Sequence, residues 1–140
     1  MELVSRKLSR IRTYMRDLGN HGRIESIGSD IVIERFMEFT LQQVIQVIID
    51  IGNHIISDEN WEEPKTSREI FEILGIHRVI SKNVENELKS LVGFRNLLVH
   101  EYVELDKEIE RKIYNESQNI VGDFESEIVT FLSNQGTKSN

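Results

Sequence analysis

The chain has no cysteine, which excludes a disulfide framework and any thiolate metal site. Its one proline, Pro64, leaves almost every segment free to be helical. No run of 18 uncharged apolar residues occurs, so a membrane-spanning helix is excluded. The first residues are charged and lack the apolar stretch of a secretion signal, and we expect a cytoplasmic protein. Alternating strand-like runs are few as well. At 140 residues the chain is long enough for one domain with a sizeable core. Together these absences predict an all-α fold: an up-and-down bundle of five to six helices over residues 1–134, with a disordered polar tail at 135–140.

Positive charge is scarce too. Lys and Arg number 17 against 24 acidic residues, for a net charge of −7. Such a balance opposes general affinity for nucleic acid, because phosphate attraction dominates that binding. The charge is uneven, however. Residues 1–23 carry Arg6, Lys7, Arg10, Arg12, Arg16 and Arg23 against only Glu2 and Asp17. Charge alone fits a solvated helix face; if RNA binds, it meets a local basic strip and binds in a strongly salt-dependent way.

What is present is helical periodicity. Val4, Leu8, Ile11, Met15 and Leu18 form an apolar stripe over 2–18, with Gly19 or Gly22 free to end it in a left-handed conformation. Ser29 or Asp30 can cap a long second helix reaching about residue 56. It has a broad apolar face and a narrower polar line of Gln43, Gln46, Asp50, Asn53 and His54. An acidic loop follows, with Trp61 as its one large apolar anchor. Thr66-x-x-Glu69 is a capping box opening a short helix over 67–74, closed by Gly75. A fourth helix spans about 82–100. Asp106 caps a short segment to about 115, and Ser117 opens a last helix.

The fourth helix carries the unusual pattern. Val84, Leu88, Leu91, Arg95, Leu98 and Tyr102 recur at steps of four and three. Arg95 thus sits in an apolar stripe. Its guanidinium cannot be titrated away there, so it needs an acceptor or an anion. Tyr102 lies nearly beneath it, about 10 Å along the axis, whereas His100 points roughly 140° away. Either the helix ends near His100, or a second copy completes the pocket across a dimer axis. The polar line of the second helix is either a solvated flank or the face turned to Arg95. In the second case Asp50 satisfies Arg95 or orients His100. Asp50 and His54 stand four apart, a spacing that suits two metal ligands, but no third ligand is clustered with them, and we expect no metal.

Cleaving RNA without a metal needs a base for the 2′-hydroxyl proton, an acid for the leaving 5′-oxygen and positive charge at the phosphate. His100 suits the proton transfers and Arg95 the phosphate. Asn96, one turn before His100, can hydrogen-bond the imidazole or a phosphate oxygen. On chemistry alone, an ion-paired Arg and a helix-terminal His explain the same residues.

Arg95, His100 and Tyr102 spell R-x4-H-x-Y, which resembles the signature of HEPN-domain ribonucleases. The longer stretch 94–102, with the blocks 50–56 and 67–75, is similar to the HepT-like (DUF86) subfamily. The resemblance implies a homodimeric HEPN-like bundle. It implies the toxin of a type VII toxin–antitoxin pair: a metal-independent endoribonuclease acting on tRNA or mRNA, with no cofactor. Its composite active site would lie at the dimer interface. Arg95 and His100 would be catalytic there, with Asn96, Asp50, Asn53 and His54 supporting them. A minimal nucleotidyltransferase antitoxin would neutralise the toxin by transferring AMP to Tyr102. The alternative is a non-catalytic helical module that partners such a nucleotidyltransferase; a plain dimerisation bundle is a third reading.

Overall fold

The computed structural model describes residues 2–99 and 106–138. Among them are five α-helices and no strand: α1 (Glu2–His21), α2 (Ile31–Asp58), α3 (Ser67–Ile76), α4 (Lys82–Val99) and α5 (Lys107–Lys138), with a 3-10 turn at Ile24–Ser26. Among the described residues no helix is long and apolar enough to cross a membrane.

The helix starts follow from capping. Asp30 accepts from the Val32 and Ile33 amides, so Asp30 rather than Ser29 caps α2. Thr66 accepts from the Glu69 amide at 3.2 Å, while the Glu69 carboxylate reaches back to the Lys65 amide. Asp106 accepts from the amides of Glu108 and Ile109 and opens α5.

Three helix ends differ from expectation. α1 continues through Gly19 to His21, and neither Gly19 nor Gly22 is left-handed. Gly22 is small for another reason: a Cβ there would stand 2.6 Å from the Leu18 carbonyl oxygen. Likewise α3 does not close at Gly75. A Cβ at Gly75 would lie 2.2 Å from a Glu85 carboxylate oxygen, so this glycine admits α4 rather than ending α3. The chain turns instead at Arg78, which takes φ +60°, and the Val79 amide closes back onto the Leu74 carbonyl at 2.9 Å. Finally, the two C-terminal segments are one helix of 32 residues. Ser117 is buried and donates its hydroxyl to the Tyr114 carbonyl at 2.8 Å, so it is satisfied inside the helix and caps nothing. The same helix continues to Lys138, into the polar stretch beyond 134; residues 139–140 lie outside the described residues.

α2 is the central element and packs against α1, α3 and α4; α4 also packs against α5. Leu41, Ile45, Ile48 and Ile51 of α2 are fully buried, together with Phe71, Leu74, Leu88, Phe124 and Ile128. Burying a side chain of this size stabilises by roughly 1.5–3 kcal/mol. α3 crosses α2 closely at Gly52, where a Cβ would stand 2.4 Å from Ile70 Cγ2. Trp61 stacks flat on His77, with centroids 3.8 Å apart, and so anchors the acidic loop. This packing fixes the second half of α2 against the C-terminal half of α4.

Candidate active site

Val84, Leu88 and Leu91 bring α4 onto the core, so Arg95, one turn on, is carried to the α2 surface half-buried. There Arg95 Nη2 donates to Gln46 Oε1 at 2.6 Å. Gln46 Nε2 in turn donates to Asp50 Oδ1 at 3.0 Å. The other Asp50 oxygen stands 3.9 Å from Lys7 Nζ of α1. Four side chains from three helices therefore form one line: Arg95, Gln46, Asp50, Lys7.

This line answers the two readings of the α2 polar face: it turns to Arg95, at least from Gln46 to Asp50. The direct Arg95–Asp50 pairing, however, gives way to Gln46. The amide lies one turn closer along α2, and its carbonyl meets the guanidinium while its NH₂ occupies Asp50. The consequence is electrostatic. Among the described residues no carboxylate forms an ion pair with Arg95; its acceptor is a neutral amide. A half-buried guanidinium held this way is oriented but not neutralised, and it retains its pull on an anion.

Asn53 and His54 continue the α2 polar line beyond Asp50. Asn53 is exposed and borders the Trp61 loop beside Asn60 and Pro64. His54 faces a crevice with Val4, Phe131 and Leu132, between α1 and α5. Asn96 is exposed on the outer side of α4, next to exposed Leu97 and Val99. His100 and Tyr102 lie outside the described residues. Asp50 and His54 gain no third ligand among the described residues.

A second charged group was not foreseen. Glu34, Glu38 and Glu110 are buried, and an oxygen from each lies within 4.8 Å of the others. Lys107 Nζ stands 3.0 Å from Glu34 and 3.5 Å from Glu110, and Arg35 bonds Glu38 at 2.6 Å. Loss of water and then the neighbouring Glu38 push the Glu110 carboxyl up to about 7. Burial also raises the Tyr114 hydroxyl, whose ring meets Phe94 edge-on at 6.0 Å. Three carboxylates are a donor set for a divalent cation, but Lys107 and Arg35 already supply two positive charges here. Spacing on α5 is the signal that could have found this group: Glu110, Tyr114, Ser117, Val121 and Phe124 repeat at four, three, four and three.

Comparison with known proteins shows the family to which the chain belongs. A family model described as Ribonuclease HepT-like matches residues 4–136. The mRNA nuclease HepT of Shewanella oneidensis is 27% identical over 125 residues, 89% of this chain and 92% of that one. The tRNA nuclease HepT of Aphanizomenon flos-aquae is 28% identical over 106 residues, 76% of this chain and 69% of that one. Among solved structures, the tri-AMPylated Shewanella oneidensis HEPN toxin in complex with MNT antitoxin superposes with a TM-score of 0.79 at 28% identity, covering 95% of this chain and 98% of that one.

Proposed function

We infer, from the premise that the chain belongs to the HepT-like family of ribonucleases, that it is an endoribonuclease toxin cutting tRNA or mRNA without a metal. The observation that carries this reading is the pairing of Arg95: half-buried, oriented by Gln46 and ion-paired with no carboxylate among the described residues. A scissile phosphate fits that position, taking two parallel hydrogen bonds from the guanidinium.

In the proposed reaction the 2′-oxygen attacks phosphorus and loses its proton to a base. The O2′–P bond forms and the P–O5′ bond breaks. An acid delivers a proton to the departing 5′-oxygen. His100 serves this proton traffic, and a second copy of the chain supplies a second imidazole at a composite cleft. Arg95 holds the phosphate oxygens and stabilises the charge that grows on them. Gln46 and Asp50 position Arg95; Asn96 assists His100. Asn53 and His54 support the same cleft from the later turns of α2.

Homodimerisation has its own support. Phe39 of α2 is 61% exposed, and Leu97 and Val99 of α4 are 42% and 54% exposed, on the two helices that carry Gln46 and Arg95. We propose that these apolar groups meet a second copy of the chain. We further propose that the protein is cytoplasmic, and that a nucleotidyltransferase antitoxin blocks the site by placing AMP on Tyr102. The added phosphate would compete with RNA for Arg95.

The experiment is expression of the toxin alone in cells, paired with digestion of RNA by the pure protein in EDTA. Wild type arrests growth and degrades RNA; His100→Ala does neither, with an unchanged melting curve. A toxic, RNA-cutting His100→Ala protein would remove the mechanism. Intact mass after co-expression with the antitoxin reports the modification, whose AMP increments disappear in Tyr102→Phe.

A further inference from the structure

The basic residues of α1 do not form one strip. Arg12 bonds Glu125 of α5, so its flank faces α5. Arg16 follows four residues later and shares that flank. Lys7 approaches Asp50 of α2, on the opposite side. Arg10 is three residues from Lys7 and extends the Lys7 flank, whereas Arg6, next to Lys7 in the chain, points about 100° away from it. Arg6 and Arg10 are exposed and form no ion pair among the described residues.

The Lys7 flank borders Arg95. Both cations bind the same stretch of α2, Lys7 through Asp50 and Arg95 through Gln46. Four residues separate Asp50 from Gln46, a rise of about 6 Å. The result is a shallow trough with a polar floor of Gln46 and Asp50. Lys7 and Arg10 form one rim and Arg95 the other. Its positive charge is set in a molecule of net charge −7, so an approaching polyanion is directed to it.

We propose that the α1–α2–α4 trough is the track of a single RNA strand, with Arg95 on the scissile phosphate and Lys7 and Arg10 on phosphates next along the strand. The inference rests on the ribonuclease reading and adds the direction from which substrate enters. A single strand suits the trough because the cations on its two rims flank one turn of α2, a rise of about 6 Å. Lys7 is lightly held, at 3.9 Å from a carboxylate that is 39% exposed, so it can exchange that partner for a phosphate.

The test measures binding of a short 2′-O-methyl single-stranded RNA, whose methylated 2′-oxygens cannot attack phosphorus, as a function of salt. Lys7→Gln/Arg10→Gln is compared with Arg16→Gln on the other flank. The double variant is expected to bind at least about tenfold more weakly and to lose about 1.4 from the slope of log K against log salt, about 0.7 per phosphate contact. Arg16→Gln should match wild type. Arg10→Gln alone alters only an exposed side chain and should lose half of that slope, so a misfolded Lys7 variant cannot obscure the result. Equal slopes in the Lys7/Arg10 and Arg16 variants would overturn the track. So would an unchanged RNA slope with lost binding of the nucleotidyltransferase, which would assign this flank to an acidic protein face. If wild type neither binds nor cuts RNA, the ribonuclease reading itself fails. If wild type cuts RNA and the double variant binds as wild type does, only the track fails.

Discussion

Arg95 owes its availability to one neighbour. A carboxylate in place of the Gln46 amide would pair with the guanidinium and compete with phosphate. Gln46→Glu is therefore expected to cut the RNA cleavage rate at least tenfold while raising the melting temperature slightly or leaving it unchanged. Gln46→Leu should lower cleavage less, because Arg95 loses its orientation but keeps its charge. Rates of both variants, read beside their melting curves, check the point; Gln46→Glu cleaving at the wild-type rate would refute it. Part of this arrangement is legible in the sequence. An arginine in an apolar stripe announces an unmet need, and the polar line of α2 contains the partner. Sequence spacing cannot choose between Gln46 and Asp50, which are one turn apart on one face and both able to accept. Packing decides, by setting how far along α2 the guanidinium arrives.

At the scale of the helix, capping side chains made the starts of α2, α3 and α5 readable, whereas the glycines misled. Gly22 and Gly75 look like helix stops but are close-approach positions, Gly22 against the Leu18 carbonyl and Met37 and Gly75 against Glu85, and only folding brings Met37 and Glu85 there. Gly52 belongs to the same class. Ile70 is β-branched and stiff, so it cannot easily move aside for a new methyl. Gly52→Ala should cost about 1–3 kcal/mol and lower the thermal midpoint by several degrees. Calorimetry on the two proteins decides, and an unchanged midpoint would show that α3 shifts freely over α2. The unbroken α5 was hidden for a different reason. Its buried stripe passes through Glu110, Tyr114 and Ser117, whose polar atoms conceal an apolar period of four and three.

For the molecule as a whole, the carboxylate group at the start of α5 makes stability depend on pH. Burial and Glu38 raise the Glu110 carboxyl to about 7, above its unfolded value. The folded state then binds more protons than the unfolded state between roughly pH 4.5 and 7. This contribution therefore weakens as pH rises through that window and levels off above it. Its full span is up to about 3 kcal/mol. Glu110→Gln removes the ionisation, so its melting temperature should exceed that of wild type at pH 8 and converge with it near pH 5; a constant difference across that range would exclude the mechanism. Assembly is tested at the same scale. Phe39→Glu places a charge on the proposed protomer contact and is expected to yield a folded monomer, seen by light scattering, that no longer cuts RNA. The central claim is that Arg95 holds the phosphate being cleaved, and the rate of RNA cleavage in excess EDTA under single-turnover conditions tests it most directly. Arg95→Ala should fall about 10²–10³-fold below wild type with its fold intact, and an Arg95→Ala protein cutting at the wild-type rate would contradict the account.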